Sequence, residues 1–263
     1  MANKFLGQHF LKDPAIIKKI VAAIDPQRGE TIVEIGPGHG ELTLSLGSAC
    51  KEAGAKLIAI EKDVRLAEAL QKRAADLGSP EIAEGDALEL LGAPKSALTL
   101  VPPFKIVGNI PYYLTGRLLR IVSEMEQGPS RCVVMVQKEV AERAMERPPR
   151  MNRLAASVQF WAKAKIAANV SREAFAPMPE VDSAILLLDR IGSPKEPAGK
   201  GAYYDALRVL FAQPRKTVLN NLAARTGKER ALEALKASSV DPGLRPQDLS
   251  IQNIKQIGDN LIA

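Results

Sequence analysis

The chain is poor in the residues that build disulfides and metal sites. Its 263 residues include two cysteines and two histidines. Cys50 and Cys132 stand in apolar surroundings without Cys-x-x-Cys spacing. They read as buried free thiols of a reducing compartment, not as a disulfide or a metal site. His9 and His39 form no ligand cluster. Long apolar runs are missing too. The longest, such as residues 132–136, reach about five residues, whereas a membrane-spanning helix needs roughly 20. Met1-Ala2-Asn3-Lys4-Phe5 lacks the apolar core of a signal peptide. The expectation is a cytoplasmic protein with no membrane partner. No repeat and no low-complexity tract is visible. What is there is an ordinary globular composition, 46% hydrophobic and 25% charged. The length suits one large domain or two smaller ones.

The net charge of +6 is unevenly spread. Residues 190–263 hold 12 lysines and arginines against 7 acidic residues, while residues 1–189 hold 24 against 23. A basic lobe beside a near-neutral one suits a phosphate-backbone partner.

Strand-like and helix-like segments alternate. Strands are expected at 31–35, 56–60, 81–84, 104–108, 131–137, 165–170 and 184–190, and helices at 14–24, 41–50, 64–77, 114–125 and 139–145. Such alternation predicts an α/β fold with a mostly parallel sheet covered on both faces. The Pro-, Gly- and Lys-rich stretch 192–201 reads as a linker. Beyond it the pattern is helical only, at 203–211, 217–224, 228–237 and 252–261. The expected division is residues 1–191 and a small all-helical domain at 202–263.

Three turns follow consecutive strand ends, where open α/β sheets bind ligands. The first is Glu34-Ile35-Gly36-Pro37-Gly38-His39-Gly40. Its glycines allow a sharp turn and close backbone approach. It is not Gly-x-Gly-x-x-Gly, because the third glycine comes one residue early. No Lys-Ser/Thr follows, so it is no phosphate-cradling loop. The second is Glu61, 25 positions after Gly36, placed to accept both hydroxyls of a ribose or to cap the next helix. The third is Asp86, placed to accept from an adenine amino group or to serve as a turn residue. Acidic groups would repel a pyrophosphate, which disfavours NAD and ATP. They suit a nucleoside carrying positive charge, and S-adenosylmethionine is one.

Asn109-Ile110-Pro111-Tyr112 follows the strand at 104–108. An amide oxygen, a backbone carbonyl and an aromatic ring in one proline-stiffened turn can hold a flat, amino-bearing ring. If Asn109 and the Ile110 carbonyl accept both N6 protons of an adenine, the nitrogen is favoured in a pyramidal form and its lone pair is freed. That help grows toward the transition state. The alkylated ammonium is acidic, so the absence of a catalytic dyad fits. Phe175-Ala176-Pro177-Met178-Pro179-Glu180-Val181-Asp182-Ser183 is a second aromatic-proline element. Phe175 is expected either to plug the core or to form a second wall for an extruded base.

Read in order, Gly7-Gln8-His9-Phe10-Leu11, the Glu34–Gly40 turn, Asn109-Ile110-Pro111-Tyr112-Tyr113, Gln137-Lys138-Glu139-Val140-Ala141-Glu142-Arg143 and the element at 175–183 resemble the rRNA adenine N6,N6-dimethyltransferases. The resemblance covers essentially the whole chain, including Gln213-Pro214-Arg215-Lys216-Thr217 and Leu244-Arg245-Pro246-Gln247-Asp248-Leu249-Ser250. It implies a class I methyltransferase fold, a Rossmann-like seven-stranded and mostly parallel sheet, with a small helical rRNA- and ribosome-binding domain. It implies S-adenosylmethionine held by His9, Leu11, Gly36, Gly38, Glu61, Asp86, Ala87 and Asn109. Catalytic roles fall to Asn109, Ile110, Pro111, Tyr112 and Phe175, with no metal. It also implies transfer of four methyls in all to two adjacent adenosines in a hairpin near the 3′ end of small-subunit rRNA, during ribosome assembly and by a monomer. Two departures stand out. The family commonly has Asn at the position of His9, and Arg147-Pro148-Pro149-Arg150-Met151-Asn152-Arg153 lacks the usual Tyr-Gly before Arg-Leu.

Three other readings stay open. Large-subunit dimethyltransferases of the macrolide-resistance type share most of these motifs. A release-factor or DNA adenine methyltransferase would prefer a second proline where Ile110 stands. A non-catalytic ribosome-assembly factor is the third, and intact Asn109, Tyr112, Glu61 and Asp86 weigh against it.

Overall fold

A computed structural model describes residues 9–92, 100, 102–125, 127–192 and 200–262. Most of the expected linker, residues 193–199, lies outside the described residues, as do Gly7 and Gln8.

The chain opens with β1 (Phe10–Leu11) and α1 (Pro14–Ile24). Asp13 caps α1 by accepting from the Ala15 N–H, and Pro14 takes the first turn, where its missing donor costs nothing. Ile16, Ile17, Ile20 and Ile24 form its buried stripe. Then follow β2 (Thr31–Ile35), α2 (Glu41–Ala53), β3 (Lys56–Glu61), α3 (Val64–Lys72), β4 (Glu81–Glu84) and α4 (Ala87–Gly92). After these come β5 (Phe104–Gly108), α5 (Thr115–Glu124), β6 (Arg131–Gln137), α6 (Lys138–Ala144), α7 (Arg153–Gln159), β7 (Ala162–Val170), β8 (Phe175–Ala176) and β9 (Ser183–Arg190).

Seven strands form one sheet in the order β4-β3-β2-β5-β6-β9-β7. The pairs β3–β4, β2–β3, β2–β5 and β5–β6 are parallel, and β6–β9 is antiparallel. This is the mostly parallel α/β sheet expected. β2, β3, β5 and β6 are buried almost along their whole length. That explains their near-continuous Val, Ile and Leu content, as in any sheet covered on both faces. The order reverses between β2 and β5, so their C-terminal ends part and leave a crevice. The two strands still run close together there. A Cβ on Gly108 would lie 2.8 Å from the Ile35 carbonyl oxygen.

The chain divides into two compact units. The first comprises residues 1–141 and 163–195, the second residues 142–162 and 196–263. The expected division differs in one respect: residues 142–162, assigned from sequence to the first domain, group with the second. The cause is local packing. Ala155 and Ala156 on α7 are fully buried in the same apolar cluster as Tyr203, Leu207 and Leu222. The Tyr203 hydroxyl donates to the Ala156 carbonyl at 2.8 Å, and its ring stacks on Phe160 at 3.9 Å. The rest of the second unit is helical, with α8 (Lys200–Leu210), α9 (Val218–Thr226), α10 (Lys228–Ala237) and α11 (Ile251–Ile262).

Candidate active site

The strand ends of the first unit surround a cavity of about 540 Å³. The Gly36–Gly40 turn forms one side. Gly36 and Gly38 have φ of +67° and +60°, a region that side chains with a Cβ rarely adopt. A Cβ on Gly38 would also meet the Phe10 ring at 2.8 Å. The turn therefore closes on β1 only because it carries glycine.

Glu61 ends β3 and is buried, with Oε2 accepting from the Gly38 N–H at 3.0 Å and Oε1 from the Asp63 N–H at 2.9 Å. Each oxygen keeps a lone pair for a ligand hydroxyl. The helix cap that Glu61 was a candidate for is instead Asp63, which accepts from Arg65 N and Leu66 N. Asp86 takes the cap role and faces the cavity beside it. Oδ1 accepts from the Leu88 N–H at 2.9 Å and starts α4, while Oδ2 faces the Lys62 ammonium at 3.0 Å. Burial pushes the Asp86 carboxyl up, but Lys62 and the helix-start N–H groups outweigh it and hold it below its ordinary range.

Glu34 is an unforeseen member of the site. It lines the cavity at the end of β2, is 1% exposed, and its Oε2 has no hydrogen-bond partner among the described residues. Burial pushes its carboxyl up to about 8, the nearby Thr43 hydroxyl opposing and the charges of Glu61 and Glu41 adding to the rise. At neutral pH it is mainly a neutral acid. Its position in the Glu34–Gly40 motif was the available signal, but nothing in the motif tells how dry the side chain is.

Asn109, half-buried, follows β5. Its Nδ2 donates to the His9 carbonyl at 2.9 Å. A carbonyl only accepts, so the amide's orientation is settled and Oδ1 is left as an acceptor. Among the described residues no donor reaches Oδ1 or the Ile110 carbonyl. Pro111 carries the chain into Tyr112, whose hydroxyl lies 2.6 Å from the Ser183 hydroxyl. The His9 ring stacks on the Tyr112 ring, with centroids 5.9 Å apart and planes at 25°. Leu11, Ala87 and Tyr113 also line the cavity. Ser183 is a second residue missed from sequence as a contributor, though it ends the aromatic-proline element.

Phe175 is corrected. It is 5% exposed, sits in the core cluster with Val170, Ile185 and Leu187, and is not among the described residues lining the cavity. β8 pairs antiparallel with β1, Leu11 opposite Phe175, and this pairing turns the ring inward. In this arrangement it plugs the core.

The residues present fit a cationic nucleoside cofactor. The cavity has the volume of a small-molecule site. It is lined by five acidic residues, Glu34, Glu41, Glu61, Asp63 and Asp86, and Glu34 carries an orphaned buried oxygen. Glycine turns allow backbone contact, and the turn after β2 carries no Lys-Ser/Thr to cradle a phosphate. Among the described residues no three His, Cys, Asp or Glu side chains gather to hold a metal, and no helix is long and apolar enough to cross a membrane.

Residues 1–262 match the sequence model of the family described as ribosomal RNA adenine dimethylase. The chain belongs to that family. It is an S-adenosylmethionine-dependent rRNA adenine methyltransferase with the class I methyltransferase fold. Ribosomal RNA small subunit methyltransferase A of Dehalococcoides mccartyi strain CBDB1 is 36% identical, over 97% of this chain and 87% of its own. A dimethyladenosine transferase from Plasmodium falciparum, solved as a crystal structure, shares 28% identity at a TM-score of 0.76, over 95% of this chain and 96% of its own. The crystal structure of the 23S rRNA methyltransferase ErmE has a TM-score of 0.71 at 24% identity, over 97% of this chain and all of its own, and shows the shared fold. In open α/β sheets such as this dimethylase's, ligands bind in the crevice at the C-terminal strand ends.

Proposed function

We propose that this dimethylase converts two adjacent adenosines, in a hairpin near the 3′ end of small-subunit (16S) rRNA, to N6,N6-dimethyladenosine. It does so on immature small subunits, as a monomer, in the cytoplasm. Support for the small-subunit substrate comes from relatives named for that activity, which match 97% of the chain.

The observation that carries the site reading is the Asn109 Nδ2 bond to the His9 carbonyl. It commits the amide nitrogen to the protein and turns Oδ1 over to the substrate. Asn109 Oδ1 and the Ile110 carbonyl accept the two N6 protons of the target adenine. A nitrogen whose protons are both held this way is favoured in a pyramidal geometry, with its lone pair turned from the ring. Pro111 limits the backbone freedom of the turn. Tyr112 stacks on the base, an interaction tolerant of sequence and strong enough to hold an extruded ring.

Glu61 would hold the ribose hydroxyls of the cofactor, and Asp86 with Ala87 its adenine edge. Gly36 and Gly38 would bring the backbone close, while Leu11 of β1 and the backbone of His9 just before it would line the site. When bound, S-adenosylmethionine supplies an electrophilic methyl on a positively charged sulfur. Asn109 Oδ1 stabilises the positive charge that grows on N6 as the methyl arrives, and this is a transition-state interaction. No side chain need act as a strong base, because the methylated ammonium loses its proton to water. The helical unit, with the basic excess of residues 190–263, contacts the phosphate backbone.

The test offers tritiated cofactor to small subunits lacking the two dimethyladenosines, to large-subunit rRNA, to DNA and to a release factor. Label in two adjacent small-subunit adenosines is expected. Label in the large-subunit rRNA instead overturns the small-subunit assignment.

A further inference from the structure

His9 lines the cavity just before β1, and the geometry gives that histidine a task of its own. We propose that His9 is a positioning residue, whose imidazole holds the backbone of residue 9 in place so that its carbonyl can fix the catalytic amide of Asn109. The inference rests on the methyl-transfer reading above and adds to it the element that orients the acceptor.

Three contacts converge on this residue. The His9 carbonyl accepts from Asn109 Nδ2 at 2.9 Å. Its ring Nδ1 lies 2.8 Å from the Pro177 carbonyl. A carbonyl accepts only, so Nδ1 carries the proton and donates. The imidazole face stacks on Tyr112 at 5.9 Å. Residue 9 thus joins three segments far apart in sequence: the N-terminal segment, the Asn109–Tyr112 turn and the loop between β8 and β9. That loop is itself tied to the same turn at its other end, through the Tyr112 and Ser183 hydroxyls at 2.6 Å. The circuit runs from Asn109 through the His9 backbone and ring to Pro177, along the loop to Ser183, and back through Tyr112.

Phe10 and Leu11 are anchored by pairing with β8, by the Phe10–His39 ring contact and by burial of Leu11, but residue 9 precedes that pairing, and without the imidazole its bond to Asn109 is the described tie it keeps. A carbonyl on a loosely held backbone orients an amide poorly. A misplacement of about 1 Å at a reacting group can cost around a hundredfold in rate. Asparagine at this position keeps a donor: its Nδ2 can reach the Pro177 carbonyl in the place of Nδ1. Alanine keeps none.

The experiment compares wild type, His9→Ala and His9→Asn in the full chain. It measures kcat and KM for undermodified small subunits, the cofactor Kd by titration, and hydrogen exchange of the Asn109 side-chain amide by NMR. His9→Ala is expected to lower kcat about 10- to 100-fold, with cofactor Kd and substrate KM changed less than threefold, and to speed exchange of the Asn109 Nδ2 protons. His9→Asn is expected to recover kcat to within threefold of wild type and to restore the slow exchange. A His9→Ala kcat within threefold of wild type overturns the proposal. So does a loss confined to cofactor Kd, which would make the ring a ligand contact, and so does an Asn variant as slow as Ala. If His9→Ala fails to fold, wild type against His9→Asn and His9→Phe decides: Phe keeps the stack, lacks the donor and should be slow. A wild-type enzyme that labels no adenosine counts instead against the methyl-transfer reading itself.

Discussion

The hydroxyls of Tyr112 and Ser183 lie 2.6 Å apart, joining the turn after β5 to the first residue of β9. Ser183 is fully buried, so its hydroxyl cannot turn to bulk water when Tyr112 moves. Burial raises the Tyr112 phenol above its ordinary value, opposed by the Ser183 bond, and the pair is neutral at working pH. Ser183→Ala should leave the half-buried phenol without its partner, costing about 1 kcal/mol and slowing methyl transfer about fivefold. Tyr112→Phe should do much the same, and the double variant should be no worse than either. Strictly additive effects in that double-mutant cycle would show that the bond does not position the ring.

Asn109→Ala removes both the Oδ1 acceptor and the tie to His9. The expected loss is about 2–4 kcal/mol of transition-state stabilisation, the scale of one oxyanion-type contact. Single-turnover rates should fall by a factor of about 30 to 1,000, with cofactor affinity far less affected. A rate within tenfold of wild type would contradict the role.

Much of this was legible along the chain, and the exceptions have physical causes. Buried parallel strands announce themselves as apolar runs, so β2, β5 and β6 have the expected bounds. β1 and β8 are two residues each, too short for any periodicity. Whether Phe175 faced a ligand or the core depended on that pairing, which is a long-range fact. α7 joins the helical unit through Ala155 and Ala156 against Tyr203, a fit of small residue to ring that has no sequence signature. Glu61 and Asp86 could each be read as ligand residue or helix cap. Asp86 does cap α4, whereas the cap of α3 is Asp63, two residues past Glu61.

Glu61 receives the Gly38 and Asp63 N–H groups on separate oxygens. Glu61→Gln places an NH2 against one of those donors, so two donors face each other in a buried site. Hydrogen bonds to charged groups are worth about 1.5–3 kcal/mol, and cofactor Kd should rise roughly 10- to 150-fold by isothermal titration. Unchanged affinity would place the ribose elsewhere.

Arg215 and Lys216 are exposed beside the start of α9, whose cap is the Thr217 hydroxyl. Neither forms a described ion pair. Reversing both charges should weaken binding to small subunits. It should also flatten the dependence of log affinity on log salt by about 1.5, near 0.7–0.9 per lost phosphate contact. The same slope in variant and wild type across a KCl series would assign the two residues to the helical unit's own stability.

Glu34 sets the pH response of the fold. Its carboxyl, pushed up to about 8 chiefly by burial, is protonated when folded at pH values where the unfolded chain has already released the proton. The folded state therefore binds more protons between the ordinary carboxylate value and about 8, and stability falls as pH rises through that window. Below it, both states are protonated and the contribution is fully present; above it, the loss is complete and the curve flattens. One group bound in one state alone gives a slope of about 1.4 kcal/mol per pH unit at most. Glu34→Gln keeps the shape and removes the titration. Urea midpoints at pH 5, 6, 7 and 8 should show wild type losing stability faster than the variant, with the gap widening toward pH 8. Parallel curves would mean that Glu34 is already ionised in the folded protein, and that its orphaned oxygen is solvated in a way the cavity does not suggest.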